Sequence, residues 1–313
     1  MRHRLLTTLL CLLPALVAWG QFDVHFGNYW QLKGYYNPSY SGAGDRINIA
    51  GTYSMQLLGF DGAPQSMWFG ADLPFKLFGK MHGAGAGFFN ESIGKFKNQI
   101  FYAQYSYRQP IRRGVLSGGF RLGAVTVSFD PTDLVFVDED MDDPAFPTSE
   151  TDGMSFDLGV GLAYEHPWFW TAVSAAHLTG PTVKMGDNGE YKVKPSLNFM
   201  AGGNIKTGNP FISIQPSFMM QTDFMYYRYD ITARMTYEKG TRSFYGGVGY
   251  SPGTSVSFMF GARIKDFVLG YAYEMFTSAI GAASGNHDIV LGYSFEMNFK
   301  KKTKNKHKSI RIL

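Results

Sequence analysis

The sequence contains a single cysteine, Cys11, in 313 residues. One thiol can form neither an intrachain disulfide nor a cysteine metal cage. Lipid attachment at Cys11 is disfavoured as well, because Leu9 and Leu10 before it are not the small residues that lipoprotein processing needs and the apolar run continues past it. After the first twenty residues no apolar stretch reaches the roughly 20 residues of a membrane helix. A chain of this kind can cross a bilayer only as a closed barrel, the other structure that satisfies its own backbone polar groups. A serine, cysteine or histidine set arranged for nucleophilic or acid–base chemistry is also missing, so the sequence does not read as an enzyme and implies no cofactor.

The start, MRHRLLTTLLCLLPALVAWGQ, has Arg2, His3 and Arg4, an apolar run from Leu5 to Val17, and Ala18-Trp19-Gly20 before Gln21. This pattern predicts a secretory signal peptide over residues 1–20 and a mature chain from Gln21. Export from the cytoplasm excludes nucleic acid as a partner.

What the chain has in quantity is alternation. In DIVLGYSFEMNF, residues 288–299, Ile289, Leu291, Tyr293, Phe295, Met297 and Phe299 share one parity, and Val290 alone breaks the pattern. Successive strand side chains point to opposite faces, so this is a strand with one apolar and one polar surface. Similar segments cover 46–57, 64–74, 82–91, 98–109, 115–129, 154–165, 168–177, 195–206, 210–222, 226–238, 243–251, 254–264, 266–276 and 287–299. Fourteen segments of about ten residues suit strands tilted across a hydrocarbon core, whereas a soluble sandwich uses shorter ones. Tyr227, Tyr237, Tyr293 and Phe299 fall where interfacial aromatic girdles lie. Gly159, Gly161 and Ala163 on a polar parity relieve crowding inside a barrel.

The connections sort by length. The longest, 130–153, 178–194 and 277–286, follow odd-numbered segments, while the turns at 166–167, 207–209 and 265–266 follow even-numbered ones. Outer-membrane barrels have short periplasmic turns and long external loops. The expected fold is therefore an all-β transmembrane antiparallel barrel of about 14 strands over residues 46–299, in the cell outer membrane, with both mature termini periplasmic. Residues 21–45 are expected to form a periplasmic, plug-like segment at the barrel base. Arg228, Arg234, Glu238, Arg263 and Glu274 lie on polar parities and could line a pore or a packed interior.

Two charged stretches stand apart. Residues 130–152 carry nine carboxylates and no base, a solvated external loop or a divalent-cation tether, although the spacing lacks the EF-hand glycine and terminal glutamate. Residues 300–313 hold Lys300, Lys301, Lys302, Lys304, Lys306, Lys308 and Arg311 and no acid, whereas residues 21–299 are net acidic. A basic periplasmic tail can engage acidic partner surfaces, lipid headgroups or peptidoglycan carboxylates, or remain solvated. His287 beside Asp288 reads as a hydrogen-bonded loop end or part of a proton-transfer site.

Asn37-Pro38-Ser39-Tyr40-Ser41-Gly42, then Gly62-Ala63-Pro64, then Ser284-Gly285-Asn286-His287-Asp288 resemble, in order along the whole chain, the PorP/SprF family of type IX secretion system outer-membrane proteins from Bacteroidetes. Ser39 and Ser41 stand where the family pattern has alanines, Asn286 for a serine and Asp288 for a glutamate. The resemblance implies a barrel similar to fatty-acid transporter barrels and a secretion accessory that works by binding. Its implied partners are a periplasmic ring lipoprotein and that lipoprotein's partner, a peptidoglycan-binding lipoprotein, outer-membrane lipid, and cargo with a C-terminal sorting domain. The alternatives are a channel or transporter for small or hydrophobic molecules, and a dedicated partner of one gliding-type adhesin.

Overall fold

A computed structural model describes residues 23–131, 151–185, 189–277 and 285–296. A single-turn helix α1 (Lys33–Tyr36) and a 3₁₀ turn (Pro38–Tyr40) precede the first strand. The strands are β1 (Arg46–Gln56), β2 (Gln65–Leu77), β3 (Lys80–Ile93), β4 (Phe96–Ile111), β5 (Gly114–Phe129), β6 (Thr151–Glu165), β7 (Phe169–Ala176), β8 (Thr182–Met185) and β9 (Gly189–Lys192). They continue with β10 (Ser196–Gly203), β11 (Ile205–Lys206), β12 (Ile212–Thr222), β13 (Tyr227–Lys239), β14 (Arg242–Ser251), β15 (Ser255–Ile264), β16 (Phe267–Phe276) and β17 (Asn286–Glu296).

Each strand from β1 to β7 pairs antiparallel with the next. β7 then pairs with β10, β10 with β12, and the series runs on to β17, which closes on β1 in the register Tyr53↔Ile289. β11 continues β10 after a break at Asn204, and β8–β9 is a hairpin outside the ring. The result is a closed antiparallel barrel of fourteen strands, as the alternation predicts. Closure leaves no unpaired edge, the condition for placing a sheet in lipid.

Side-chain parity follows the pleat. On β13, Tyr227, Tyr229, Ile231, Met235 and Tyr237 are exposed on the outside, while Asp230, Thr232 and Arg234 are buried within. Val290, which breaks the alternation of β17, faces inward and joins an interior apolar core. The six turns at 78–79, 112–113, 166–168, 207–211, 240–241 and 265–266 share one end, hereafter the turn end. The longer connections, including the β8–β9 hairpin, gather at the opposite loop end.

That interior core belongs to the segment ahead of β1. Val24, Phe26, Tyr29, Trp30, Leu32, Tyr35, Tyr36 and Tyr40 are buried against Trp68, Phe89, Ile100, Tyr102, Val125 and Val290 of the wall. This differs from a seal at the base with its mature start on the turn side. Asp23 contacts His177 and Ser196, beyond or at the loop-side ends of β7 and β10, and the chain then descends the lumen to enter β1 at the turn end. Its length explains the route: a segment with eight buried apolar side chains covers them only by following the wall, because a base seal would leave most of them in water.

An arginine at Leu291, 59% exposed on the outer face of β17, should cost about 2–4 kcal/mol if that face meets lipid. Urea titration of the protein refolded into vesicles measures this. The same change on a water-facing surface would cost almost nothing.

Candidate functional site: the filled lumen

The strongest local design inside the barrel is at Asn37–Gly42. Asn37 accepts hydrogen bonds from the Ser39 backbone N–H (2.9 Å) and hydroxyl (2.6 Å), which caps the 3₁₀ turn. Its Nδ2 donates to the carbonyls of Leu162 (3.1 Å) and Val173 (3.0 Å), register partners on β6 and β7. One amide thus both folds the turn and ties it to two strands. The turn fits because the wall opposite has no side chains: a Cβ on Gly119 would lie 2.7 Å from the Pro38 carbonyl, and one on Gly161 would strike the Asn37 side chain. Gly42 has φ +64° and donates its N–H to Asp72 (2.8 Å).

The rest of the segment is irregular and has no neighbouring strand, so wall side chains supply what its peptide groups lack. Arg121 Nη2 donates to the carbonyls of Gly34 (3.0 Å) and Tyr35 (2.5 Å), Ser174 to that of Tyr36 (2.8 Å), and Ser106 to that of Ser41 (2.6 Å). Tyr29 donates to Ser217 (3.0 Å) and lies 3.2 Å from the Thr232 hydroxyl. Arg234 stacks on Trp30 at 3.9 Å, and Lys33 lies 3.8 Å above Trp170. Among the polar-parity residues, Arg228, Arg234 and Glu274 are therefore packed inside, whereas Glu238 and Arg263 line a vestibule of about 460 Å³ beneath the segment.

At the loop end the segment is held by charge. Asp23 accepts from His177 (3.0 Å) and from Ser196, and His177 Nδ1 reaches Asp157 at 3.1 Å. Burial alone would lower the His177 pKa, but the Asp23 and Asp157 carboxylates outweigh it and raise it to about 10. Burial also works to raise the pKa of Asp23, and the charge and hydrogen bond of His177 with the Ser196 bond bring it below its ordinary value. Nearby, His25 lies 3.5 Å from Asp230 and 3.0 Å from Gln221. Burial, then Arg228, push its pKa down against the pull of Asp230 and Glu274. Arg228 bridges Asp230 (3.1 Å) and Glu274 (2.5 Å), and Glu274 also accepts from Ser255 and Asn286. Cavities here hold only about 20 and 10 Å³, at most a water each.

The other singled-out residues also sit at the loop end. Gly62 accepts from Gly94 N–H (2.9 Å), Pro64 from Gln56 (2.9 Å) and Gly285 from Leu57 (3.0 Å), so Gly62-Ala63-Pro64 stitches neighbouring loops together. His287 and Asp288 do not form a pair. Adjacent strand residues face opposite ways: His287 bonds Tyr271 on the outer face (2.7 Å), and Asp288 accepts from Gly27 N–H inside. Ser284, most of the acidic stretch 130–152, the signal segment 1–20 and the basic residues Lys300 to Arg311 lie outside the described residues.

A family model described as "Type IX secretion system membrane protein PorP/SprF" matches residues 18–293. No curated protein matches the sequence. Among solved structures, the CymD monoaromatic hydrocarbon channel is similar with a TM-score of 0.51 at 11% identity, over 85% of this chain and 93% of that one. The toluene transporter TbuX of Ralstonia pickettii has a TM-score of 0.49 at 10% identity, over 83% of this chain and 92% of its own. At such identities the likeness is one of fold.

Asn37→Ala should destabilise the docked segment by about 1–3 kcal/mol, and Gly119→Val should displace it. Both should speed proteolytic nicking before residue 45 while the heat-modifiable barrel band persists. The Asp23–His177 contact also has a pH window. The imidazole contribution is complete below its ordinary pKa of 6.5 and fades as pH rises through about 10, and that of Asp23 is complete above 3.8 and fades as pH falls through its lowered value. Nicking of the segment should thus rise near pH 10 in the parent protein, and His177→Gln should nick readily without that pH step.

Proposed function

This chain belongs to the PorP/SprF family of type IX secretion system membrane proteins, and we propose that it serves that system as a sealed outer-membrane component acting by binding and positioning, without bond chemistry. The observation that carries this reading is the occupied lumen. Residues 23–42 are packed, ion-paired and hydrogen-bonded along its length, leaving a vestibule that ends blind at the loop-side packing. The vestibule is lined by Lys33, Glu165, Arg234, Glu238 and Arg263. These charges share the wall with Trp30, Leu32, Ile49, Trp68 and Val268, so it is the packing that blocks the lumen above the vestibule that favours binding over the transporter alternative.

The short-turn rule supports assigning the turn end to the periplasm and the loop end to the cell exterior. In this orientation a signal peptide over residues 1–20 directs export, and the basic residues after Phe299 emerge in the periplasm. There they can meet the ring lipoprotein with its partner and the peptidoglycan-binding lipoprotein that family membership implies. The loop end, with its acidic stretch, faces sorting-domain cargo on its way to release or surface attachment.

Mass spectrometry of released and surface-displayed proteins in the parent strain and a clean deletion tests the proposal. Loss of many sorting-domain proteins is expected for a part of the general machine, and loss of one adhesin for a dedicated gliding-type partner. An unchanged secretome with altered solute uptake would overturn the reading.

A further inference from the structure

Cations crowd the turn end. Lys80, Lys206, Lys239, Arg242 and Lys265 flank four of its turns, and no ion-pair partner is found for them among the described residues. The rim therefore carries a positive field. In one sector that field has a concave site. Where Ala43 and Gly44 leave the lumen, a cleft of about 610 Å³ opens between the turns at 112–113 and 166–168, lined by Arg108, Arg112, Arg113 and His166.

Glu165 is the acid of this cleft, and it is already engaged by Arg108 (3.3 Å) and Lys33 (3.8 Å). Arg112 and Arg113 are exposed, and no ion-pair partner is found for them among the described residues. Arg108 is 8% exposed, and its buried Nη1 has no hydrogen-bond partner among the described residues. Arg112 and Arg113 offer their guanidinium forks to carboxylates at the cleft mouth, and the buried charge of Arg108 behind them adds to the field those carboxylates meet.

We propose that this cleft is a docking site for a carboxylate-rich segment of a partner protein, an inference that rests on the periplasmic assignment of the turn end. The chain's own segments do not complement it: residues 300–313 contain seven bases and no acid, and the acidic stretch 130–152 joins β5 to β6 at the opposite end. A lipid headgroup is the poorer fit. Arg108 and Val115 lie on inward parities and the cleft borders the lumen segment, away from the acyl chains around the outer wall.

The test uses the full mature chain in phosphatidylcholine nanodiscs and fluorescein-labelled deca-glutamate, read by anisotropy, with deca-lysine as control. Deca-glutamate should bind, weaken with salt, and lose at least about tenfold in affinity on Arg112→Glu with Arg113→Glu. Lys239→Glu with Arg242→Glu, elsewhere on the rim, should cost less than about threefold. Retention of the heat-modifiable band shows that each variant is folded, and Arg113→Glu alone, at an exposed turn, gives the same direction. No binding, or equal loss from both pairs, overturns the proposal. Block of the peptide by nanodiscs containing phosphatidylglycerol overturns it in favour of a lipid site. Sidedness is read separately from Arg113→Cys in cells: an impermeant maleimide should label it only after the outer membrane is opened. Labelling of intact cells would overturn the periplasmic assignment even where the purified protein binds the peptide.

Discussion

An irregular stretch of polypeptide enclosed by a closed sheet has no strand beside it, and the need to satisfy its peptide groups governs the interior of this barrel. The wall answers with side chains rather than backbone. Arg121 takes two successive carbonyls, Ser174 and Ser106 take one each, and the segment contributes Asn37, whose amide serves its own turn and two strands together. Inward polarity in this molecule is thus matched to an enclosed chain more than to water. Arg234 illustrates the point, since its guanidinium sits 3.9 Å over the Trp30 ring of the segment even where the residue borders the vestibule.

The barrel therefore has two apolar surfaces with different partners. Outside, exposed Ile231, Phe260, Leu269 and Leu291 suit lipid; inside, Phe26, Tyr29, Leu32 and Tyr35 form a core with wall residues such as Phe89 and Val125. Each buried side chain of that kind contributes about 1.5–3 kcal/mol, so the lumen segment is bound like the core of a soluble domain. The residues that carry the family resemblance act at both ends of this arrangement. Asn37–Gly42 seats the segment in its glycine slot, while Gly62, Pro64, Gly285 and Asn286 organise the loops around its entry.

Strand number, facing and loop sorting were all readable in the sequence, because each follows from a local period of two and from connection length. Val290 was readable only as an exception, and its reason lies in the inner core, which local parity does not report. The path of the segment was not readable. Aromatic spacing over residues 24–40 says that these side chains need burial, not which end of the lumen the chain enters. The Asp23–His177–Asp157 cluster joins residues 154 apart in sequence, and the only hint was a carboxylate at an inward position of β6 that needed some counter-charge. His287 and Asp288 mislead for the opposite reason: they are adjacent in sequence, and the pleat separates them. The β8–β9 hairpin and the break at Asn204 fall within stretches whose composition is that of a loop and of a strand.

The lumen segment leads through only a few residues into β1, and β1 meets β17 at the seam that closes the ring. The order of assembly is constrained as a result. A completed cylinder offers a long aromatic chain no side door and only its ends for entry, so laying the segment against the growing sheet before first and last strands meet is the shorter route. Closing the seam is then also the act of wrapping, and a chain whose segment has failed to settle should close its β1–β17 seam around an ill-packed lumen.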